Sequence, residues 1–391
     1  MMRYADFMQI LSVRCTLKPT PEQAEALEAT VKLFTEGCNH ALRVAKERRE
    51  FRRFRLHRLV YKDLRAMGLS ANLAVQAIAR VGRKRGSRAK FYQPTSCHYD
   101  QRTFSLRLAD ETVSLTTVRG RMRIPLKIGN YQRHLLRQAE SVQGAVLTKG
   151  PKGKWYVHIQ IRVQTPEPPP GGRVVGLDLG QKALATLSTG ERFSGGPLKG
   201  KRLHYLRKRA EVRSRLDRPS ERTKGVKLLW ERLRGREARF VNNALHVLAK
   251  RIVEALEPGD ILVLEDLTGL RKRTTKRGRE ERHLHNLWPY ARFRFLLEYK
   301  AVLKGVRVVA VDPRRTSQEC PRCGYTSRQN RRSQALFRCG ACGFQHNADW
   351  VASVNIARRA LAQGAGSEGL GHGQLALMPG NRLTHLRLLA S

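Results

Sequence analysis

Acidic residues are scarce in this chain. Its 391 residues hold 32 Asp and Glu against 76 Lys and Arg, a formal net charge of +44. A surplus of that size repels itself unless a polyanion neutralises part of it. Nucleic acid is the expected polyanion, ahead of an anionic membrane surface, with counterion release supplying much of the affinity. Long apolar runs are also missing. No uninterrupted stretch of about eighteen apolar residues is present, so a spanning helix is not supported. The opening residues 1–13 lack the apolar core of a signal peptide. Cysteines are few: of the seven, Cys15, Cys38 and Cys97 are scattered. That spacing excludes a disulfide framework and fits ordinary buried thiols in a reducing cytosol.

The other four cysteines are ordered. Cys320-x2-Cys323 and Cys339-x2-Cys342 form two knuckles separated by fifteen residues, each followed by glycine, Gly324 and Gly343. Thiolates at this spacing suit a closed tetrahedral zinc site, structural because four thiolates leave no open position for water. His346 is surplus as a ligand and reads as a surface residue or one facing nucleic acid.

Along the chain, alternation predicts a strand over 9–17. Thr20-Pro21 then opens a helix running to about Arg49, with Thr20 at the N-cap. A second helical stretch covers about 57–85, broken near Gly68-Leu69-Ser70. Short strands with turns follow, over 103–108, 112–115, 121–128, 144–148 and 155–163, the spacing of a small antiparallel barrel. The helices of 21–85 would be an insertion after its first strand. The Pro- and Gly-rich segment 165–172 marks the main boundary. Beyond it come strands over 173–180 and 183–187, a hairpin partner near Arg192, and two basic helices across 200–256 with a break near Pro219. A buried strand over 261–265, a polar loop over 268–283, a helix over 290–303 and a strand over 306–311 precede the knuckles. A last helix covers about 348–361.

Three acids stand in settings that can bring them to one metal site. Asp178 lies inside Val-Val-Gly-Leu-Asp-Leu-Gly, where an unpaired carboxylate is costly. Glu265 ends Ile-Leu-Val-Leu-Glu, with Asp266 and Asp312 also available at strand ends. Asp349 opens the last helix, where the dipole favours a carboxylate. Paired hard cations held by such oxygens hydrolyse phosphodiesters. Basic runs follow the same theme: Lys201, Arg202, Arg207, Lys208, Arg209, Arg213, Arg215 and Arg218 on the helices, and Arg271, Lys272, Arg273, Lys276, Arg277 and Arg279 in the loop. Such runs are ordinarily solvated faces; the net charge shifts them toward phosphate contact, and the loop after Glu265 can gate the strand ends. Trp288, Tyr290 and Phe293 read as core packing, with base stacking the sharper alternative.

Together these residues resemble the TnpB/OrfB family of insertion-sequence proteins and the related compact type V CRISPR effector nucleases. The matching segments are Gly-Leu-Asp-Leu-Gly-Gln-Lys-Ala-Leu-Ala-Thr-Leu-Ser-Thr-Gly (176–190), Leu-Val-Leu-Glu-Asp-Leu (262–267) and Thr-Ser-Gln-Glu-Cys-Pro-Arg-Cys-Gly-Tyr (316–325). Phe-Arg-Cys-Gly-Ala-Cys-Gly-Phe (337–344) and the run from His346 to Ala357 continue the match, and Leu-Lys-Pro-Thr-Pro-Glu-Gln (17–23) looks like the family's opening. Trp350-Val351-Ala352-Ser353 stands where many relatives have Leu-Asn-Ala-Ala.

The resemblance implies an α/β plus all-β architecture. A β-barrel of 9–20 and 86–165 would carry a helical recognition insertion at 21–85. A ribonuclease-H-like (RuvC) nuclease domain would take 173–315 and 346–361, with a zinc ribbon inserted at 316–345 and a poorly ordered tail at 362–391. It selects Glu265 over Asp266 and implies Asp178, Glu265 and Asp349 as ligands of catalytic Mg2+ or Mn2+. It also implies structural Zn2+ on the four cysteines, a guide RNA and a target DNA read by base pairing. Lys201, Arg202, Arg207, Lys208, Arg209, Arg271, Lys272 and Arg273 are the expected nucleic-acid contacts. The implied protein is an RNA-guided DNA endonuclease of a transposable element, in the prokaryotic cytoplasm beside the nucleoid and without a membrane partner, with a monomer the favoured state. The rival functions are a transposition accessory or regulatory DNA-binding protein without guide RNA, and a CRISPR-associated compact effector.

Overall fold

The computed structural model describes residues 8–84, 90–150, 153–180, 183–267, 290–333 and 335–364. They fall into two compact units that divide between Gln164 and Thr165, directly before the Pro-rich segment.

The first unit is built on a seven-stranded antiparallel sheet of β1 (Met8–Leu17), β2 (Ser96–Asp100), β3 (Phe104–Arg107), β4 (Thr112–Thr117), β5 (Gly120–Lys127), β6 (Ala139–Lys149) and β7 (Trp155–Gln164). Their order is β2-β6-β7-β1-β5-β4-β3. The two edge strands, β2 and β3, are consecutive in the chain and joined by a short turn that Asp100 closes through the Thr103 backbone and hydroxyl. The sheet therefore curls into a nearly closed barrel. Strict alternation in β7, from Trp155 to Val163, buries one face.

Between β1 and β2 run α1 (Pro21–Glu47), α2 (Arg53–Ala66) and α3 (Ala71–Gly82). The Thr20 hydroxyl accepts from the Gln23 amide while the Gln23 side chain accepts from Thr20, a reciprocal cap that fixes the start of α1. Leu27, Phe34, Leu42, Leu56, Leu64, Leu73 and Ile78 are fully buried along these helices. The single break expected near Gly68 separates α2 from α3. Strand β2 and the short helix α4 (Asn130–Arg137) were not expected from the pattern. Both are short: β2 alternates Ser-Cys-His-Tyr-Asp over only five residues, and α4 spans eight residues with one buried, Leu136.

The second unit has a mixed five-stranded sheet ordered β10-β9-β8-β11-β12. Its strands are β8 (Val174–Asp178), β9 (Ala183–Leu187), β10 (Arg192–Ser194), β11 (Ile261–Glu265) and β12 (Arg307–Val311). The last two run parallel to β8, while β9 pairs antiparallel with β8 and β10 pairs antiparallel with β9. Between β10 and β11 come α5 (Gly196–Asp217) and α6 (Lys224–Glu254), and α7 (Tyr290–Leu303) leads into β12. Val175, Leu177, Leu262 and Leu264 pack with α6 and α7 on one face, where Phe293 lies in the core. Val174, Ile261 and Val263 pack on the other with α8 (Ala348–Ala362). At the N-terminal end of the sheet, buried Asp260 accepts from the Arg173 amide at 3.0 Å and its guanidinium at 2.7 Å, which pins β8 against β11.

Between β12 and α8 lies the cysteine-bearing segment with its own small hairpin, β13 (Leu336–Arg338) and β14 (Gln345–Asn347). The basic loop 268–283 with Arg271, Lys272 and Arg273, the residue Trp288, and nearly all of the tail, from 365 on, lie outside the described residues.

Candidate metal and nucleic-acid site

Alternation along a strand decides which side chains share a face. In β8, Val174 and Gly176 face α8, so Asp178 does as well; in β11 the same holds for Ile261, Val263 and Glu265. Leu264 pairs with Leu177 in the parallel ladder, which sets Asp178 and Glu265 side by side one step further, at the C-terminal strand ends. Asp266 falls on the opposite face, 3.7 Å from Arg294 of α7, and Asp312 pairs with Arg314 at the surface. Of the three acids open at these strand ends, only Glu265 therefore faces α8.

Asp349 is the second residue of α8, 9% exposed. The Asn347 side chain caps this helix by accepting from the amides of Asp349 and Trp350 at 3.1 and 3.2 Å. Three segments distant in sequence thus bring their carboxylates to one end of the sheet. Burial, then Glu265, then Asp349 raise the Asp178 carboxyl to about 8, against a smaller opposing pull from Arg331. Burial likewise raises Glu265, opposed by the Thr316 hydroxyl, which donates to it at 2.6 Å. Two buried, mutually repelling carboxylates are chemically suited to a hard divalent cation. Among the described residues, only the four cysteines form a cluster whose ligand atoms all lie within 4.8 Å of one another. The acids stand wider, with Asp349 held by two guanidiniums: Arg192 of β10 at 3.4 Å and Arg331 at 3.3 Å.

Neither arginine is marked by the linear pattern. Arg192 lies beyond a turn at Gly190, and Arg331 lies in the basic stretch between the two knuckles. Thr316 was likewise visible only as part of the knuckle motif. Asn355 of α8 donates to the Thr316 carbonyl at 2.7 Å and to the Glu319 carbonyl at 2.8 Å, fixing the segment that carries the hydroxyl.

The knuckles repeat one geometry. Gly324 donates to the Cys320 carbonyl and Gly343 to that of Cys339, with positive φ of 78° and 70° that glycine tolerates. Cys320 and Cys342 sulfurs stand 3.6 Å apart, as do those of Cys323 and Cys339. Sulfurs on a tetrahedral zinc with bonds of about 2.3 Å are separated by about 3.8 Å, so the four thiols fit that ion. Burial alone would raise the Cys339 thiol, but amides of Cys342 and Ala341 aimed at its sulfur bring it down to about 7. His346 is half-buried, with its ring tilted against Trp350 at 4.0 Å between ring centres and parallel to Phe344 at 6.2 Å, so it packs against the ribbon core.

On α5, Lys201, Arg207 and Lys208 are exposed. Arg202 is 7% exposed and lies 3.6 Å from Glu237 of α6, which Arg209 also meets at 2.9 Å. Arg202 thus has no face toward solvent: both of these arginines tie the helix hairpin together.

Sheet, acids and ribbon place the chain among α/β proteins with a polar strand-end site and an inserted four-cysteine module. Comparison with known proteins makes this specific. Residues 158–268 match the family described as Probable transposase, OrfB_IS605. Residues 290–356 match the Cas12f1-like, TNB domain. The resemblance to the TnpB/OrfB family read from the motifs is borne out by these matches and by the relatives. A TnpB-like protein of Methanocaldococcus jannaschii is 34% identical over 168 residues, 42% of this chain and 59% of that one. A putative RNA-guided DNA endonuclease InsQ of Escherichia coli is 30% identical over 269 residues, 64% of each. A CRISPR-associated endodeoxyribonuclease Cas12f1 of Sulfoacidibacillus thermotolerans is 32% identical over 225 residues, 53% of this chain and 50% of that one. The chain thus spans half to about two thirds of the length of these relatives. A cryo-EM structure of a Cas12f1–sgRNA–target DNA complex superimposes with a TM-score of 0.60 at 16% identity, covering 86% of this chain and 83% of that one, which shows a shared fold.

Proposed function

We propose that this chain is an RNA-guided DNA endonuclease of a transposable element, acting in the prokaryotic cytoplasm. The observation that carries the reading is the gathering of Asp178, Glu265 and Asp349 at one sheet end beside a four-thiol ribbon, in a chain matching the transposase and Cas12f1-like models. On this reading the mixed sheet with α8 is a ribonuclease-H-like (RuvC) nuclease domain, and the barrel with α1 to α3 holds guide RNA. The acids would hold Mg2+ or Mn2+, and Cys320, Cys323, Cys339 and Cys342 would hold Zn2+. Divalent cations there would supply an activated water and stabilise the leaving oxygen. The chain's own groups do the rest. Thr316 orients Glu265, the Asn347 cap fixes Asp349, and exposed Lys201, Arg207 and Lys208 neutralise phosphates.

The test is to sequence RNA recovered with the expressed protein, then assay cleavage of a plasmid matching that guide with wild type and Asp178→Ala. Cutting by wild type alone is expected. Equal cutting by the variant overturns the mechanism, and absence of defined RNA favours a DNA-binding accessory protein. The Cas12f1-like match over 290–356 also favours a second reading, a CRISPR-associated effector. Recovered RNA carrying CRISPR-repeat sequence, rather than transposon-end sequence, distinguishes it.

A further inference from the structure

The ladder pairs Asp178 of β8 with Thr186 of β9, and Thr186 with Arg192 of β10. Directly paired residues point to the same side of a sheet. Glu265, Asp178, Thr186 and Arg192 therefore form one polar row across four strands, on the face that α8 covers. The acids occupy one end of the row and a guanidinium the other.

Two members of this row are not accounted for by the acid site. Thr186 is fully buried, and its hydroxyl has no hydrogen-bond partner among the described residues. Such a group costs on the order of 1–3 kcal/mol unless something pairs with it. Arg192 reaches Asp349 only at 3.4 Å, longer than the 2.7–2.9 Å typical of a charge-assisted bond. Its side chain is 49% exposed, and the other oxygen of Asp349 is already met by Arg331. The Arg192 contact is thus loose and its fork is open to solvent.

We propose that Arg192 forms a phosphodiester seat beside the acids, which takes the backbone of the DNA strand to be cut, while the buried Thr186 lies behind it in the row, out of the strand's reach. This rests on the endonuclease reading and deepens it. An anion between the acids and Arg192 needs positive charge on both sides. The row offers a guanidinium with two parallel donors on one flank and cation-binding carboxylates on the other. Arg192 exchanges its weak contact with Asp349 for a phosphate oxygen. Arg192 is a binding residue for the strand and is not needed to hold the cation.

The test uses the RNA-bound protein as purified. A fluorescein-labelled short single-stranded DNA oligonucleotide is titrated in Ca2+ at elevated salt, which screens distant basic residues. Mn2+ affinity is measured separately by electron paramagnetic resonance. Arg192→Leu is expected to weaken strand binding about tenfold, the loss of one charge-assisted contact, with Mn2+ affinity unchanged or tighter. Arg192→Lys keeps the charge but not the fork and falls between; it carries the test should the leucine variant not fold. Thr186→Val, which alters only the buried member of the row, leaves strand affinity unchanged. Arg192 is only a brace for Asp349 if Arg192→Leu leaves strand affinity intact, or if Mn2+ and strand affinities fall together. A wild-type protein that shows this binding pattern yet never cuts matched plasmid sinks the endonuclease reading and leaves the seat standing.

Discussion

Gly176 of β8 and Ser353 of α8 touch backbone to backbone. A methyl group on Gly176 would stand 1.9 Å from the Ser353 carbonyl oxygen and 2.8 Å from the Ala357 amide nitrogen. This contact sets the depth at which α8 lies on the sheet, and so the height of Asp349 over Asp178. Gly176→Ala must push the helix outward. Overpacking of this kind costs about 1–3 kcal/mol, and here the obstruction is backbone, which cannot rotate away. The expected result is a lowered denaturation midpoint together with weakened Mn2+ binding. A variant with wild-type values for both would show that the helix is not seated by this contact.

The carboxyl of Asp178 makes the metal-free protein sensitive to pH. Its folded value of about 8 lies far above the usual carboxylate range near 3.9, because burial and the other two acids disfavour its charge. A raised folded value contributes stability that is complete below the unfolded value and lost as pH rises through the folded one. Without divalent cations, thermal stability should therefore fall as pH climbs from about 4 toward about 8. Mg2+ should raise the melting temperature more at pH 8 than at pH 5, since it replaces the proton. Asp178→Asn should flatten the slope, melt higher than wild type in chelator at neutral pH, and lose the Mg2+ response. A chelator-treated wild type that is most stable at pH 8 would contradict this account.

What the linear pattern revealed and what it concealed have separate causes. The knuckles, the strand ending in Glu265 and the capped helix from Thr20 are local features, written within a few residues of sequence, and they were legible. The choice between Glu265 and Asp266 needed alternation in a strand whose two faces are both buried, where composition is apolar on either side. The contacts of Arg192 and Arg331 with Asp349 join segments 157 and 18 residues apart, and no periodicity encodes them. Arg202 shows the same limit differently. In a helix with basic residues all round, charge does not mark the inward face, and only Glu237 on the partner helix reveals it.

That hairpin supplies a direct test. Glu237 is 5% exposed and is the acid that meets both Arg202 and Arg209. Removing one partner of a buried ion pair leaves the other charge uncompensated and costs about 3–5 kcal/mol. Glu237→Ala should destabilise strongly, whereas Arg202→Met paired with Glu237→Leu should recover much of the loss by replacing the pair with apolar volume. Urea denaturation of the two variants beside wild type measures this. Equal destabilisation of both would mean that packing around Arg202, not charge, holds the helices together.

Trp350 connects the ribbon to the sheet. It is 1% exposed, its indole nitrogen donates to the Ser188 carbonyl at 2.9 Å, and the Ser188 hydroxyl in turn accepts from the Gly176 amide at 3.1 Å. The same side chain packs in one core with Cys320, Phe337 and Cys339, and it follows Asp349 directly in α8. This chain thus has a residue that spans from the thiol cluster to the strand bearing Asp178. Trp350→Phe keeps part of the aromatic packing but leaves the Ser188 carbonyl unpaired, an expected loss of about 1–2 kcal/mol. Trp350→Ala also opens a cavity, for about 3–5 kcal/mol. Binding of zinc by such thiolate sets contributes on the order of 10 kcal/mol to folding. Stripping zinc, or the variant Cys323→Ser, should therefore loosen this core and weaken Mn2+ binding at the acids, although no cysteine touches them. Tryptophan emission of wild type should shift to the red on stripping, and the shift should shrink in Trp350→Phe. If zinc removal leaves both the emission and the Mn2+ affinity unchanged, ribbon and acid site are independent, and Trp350 is an ordinary core residue.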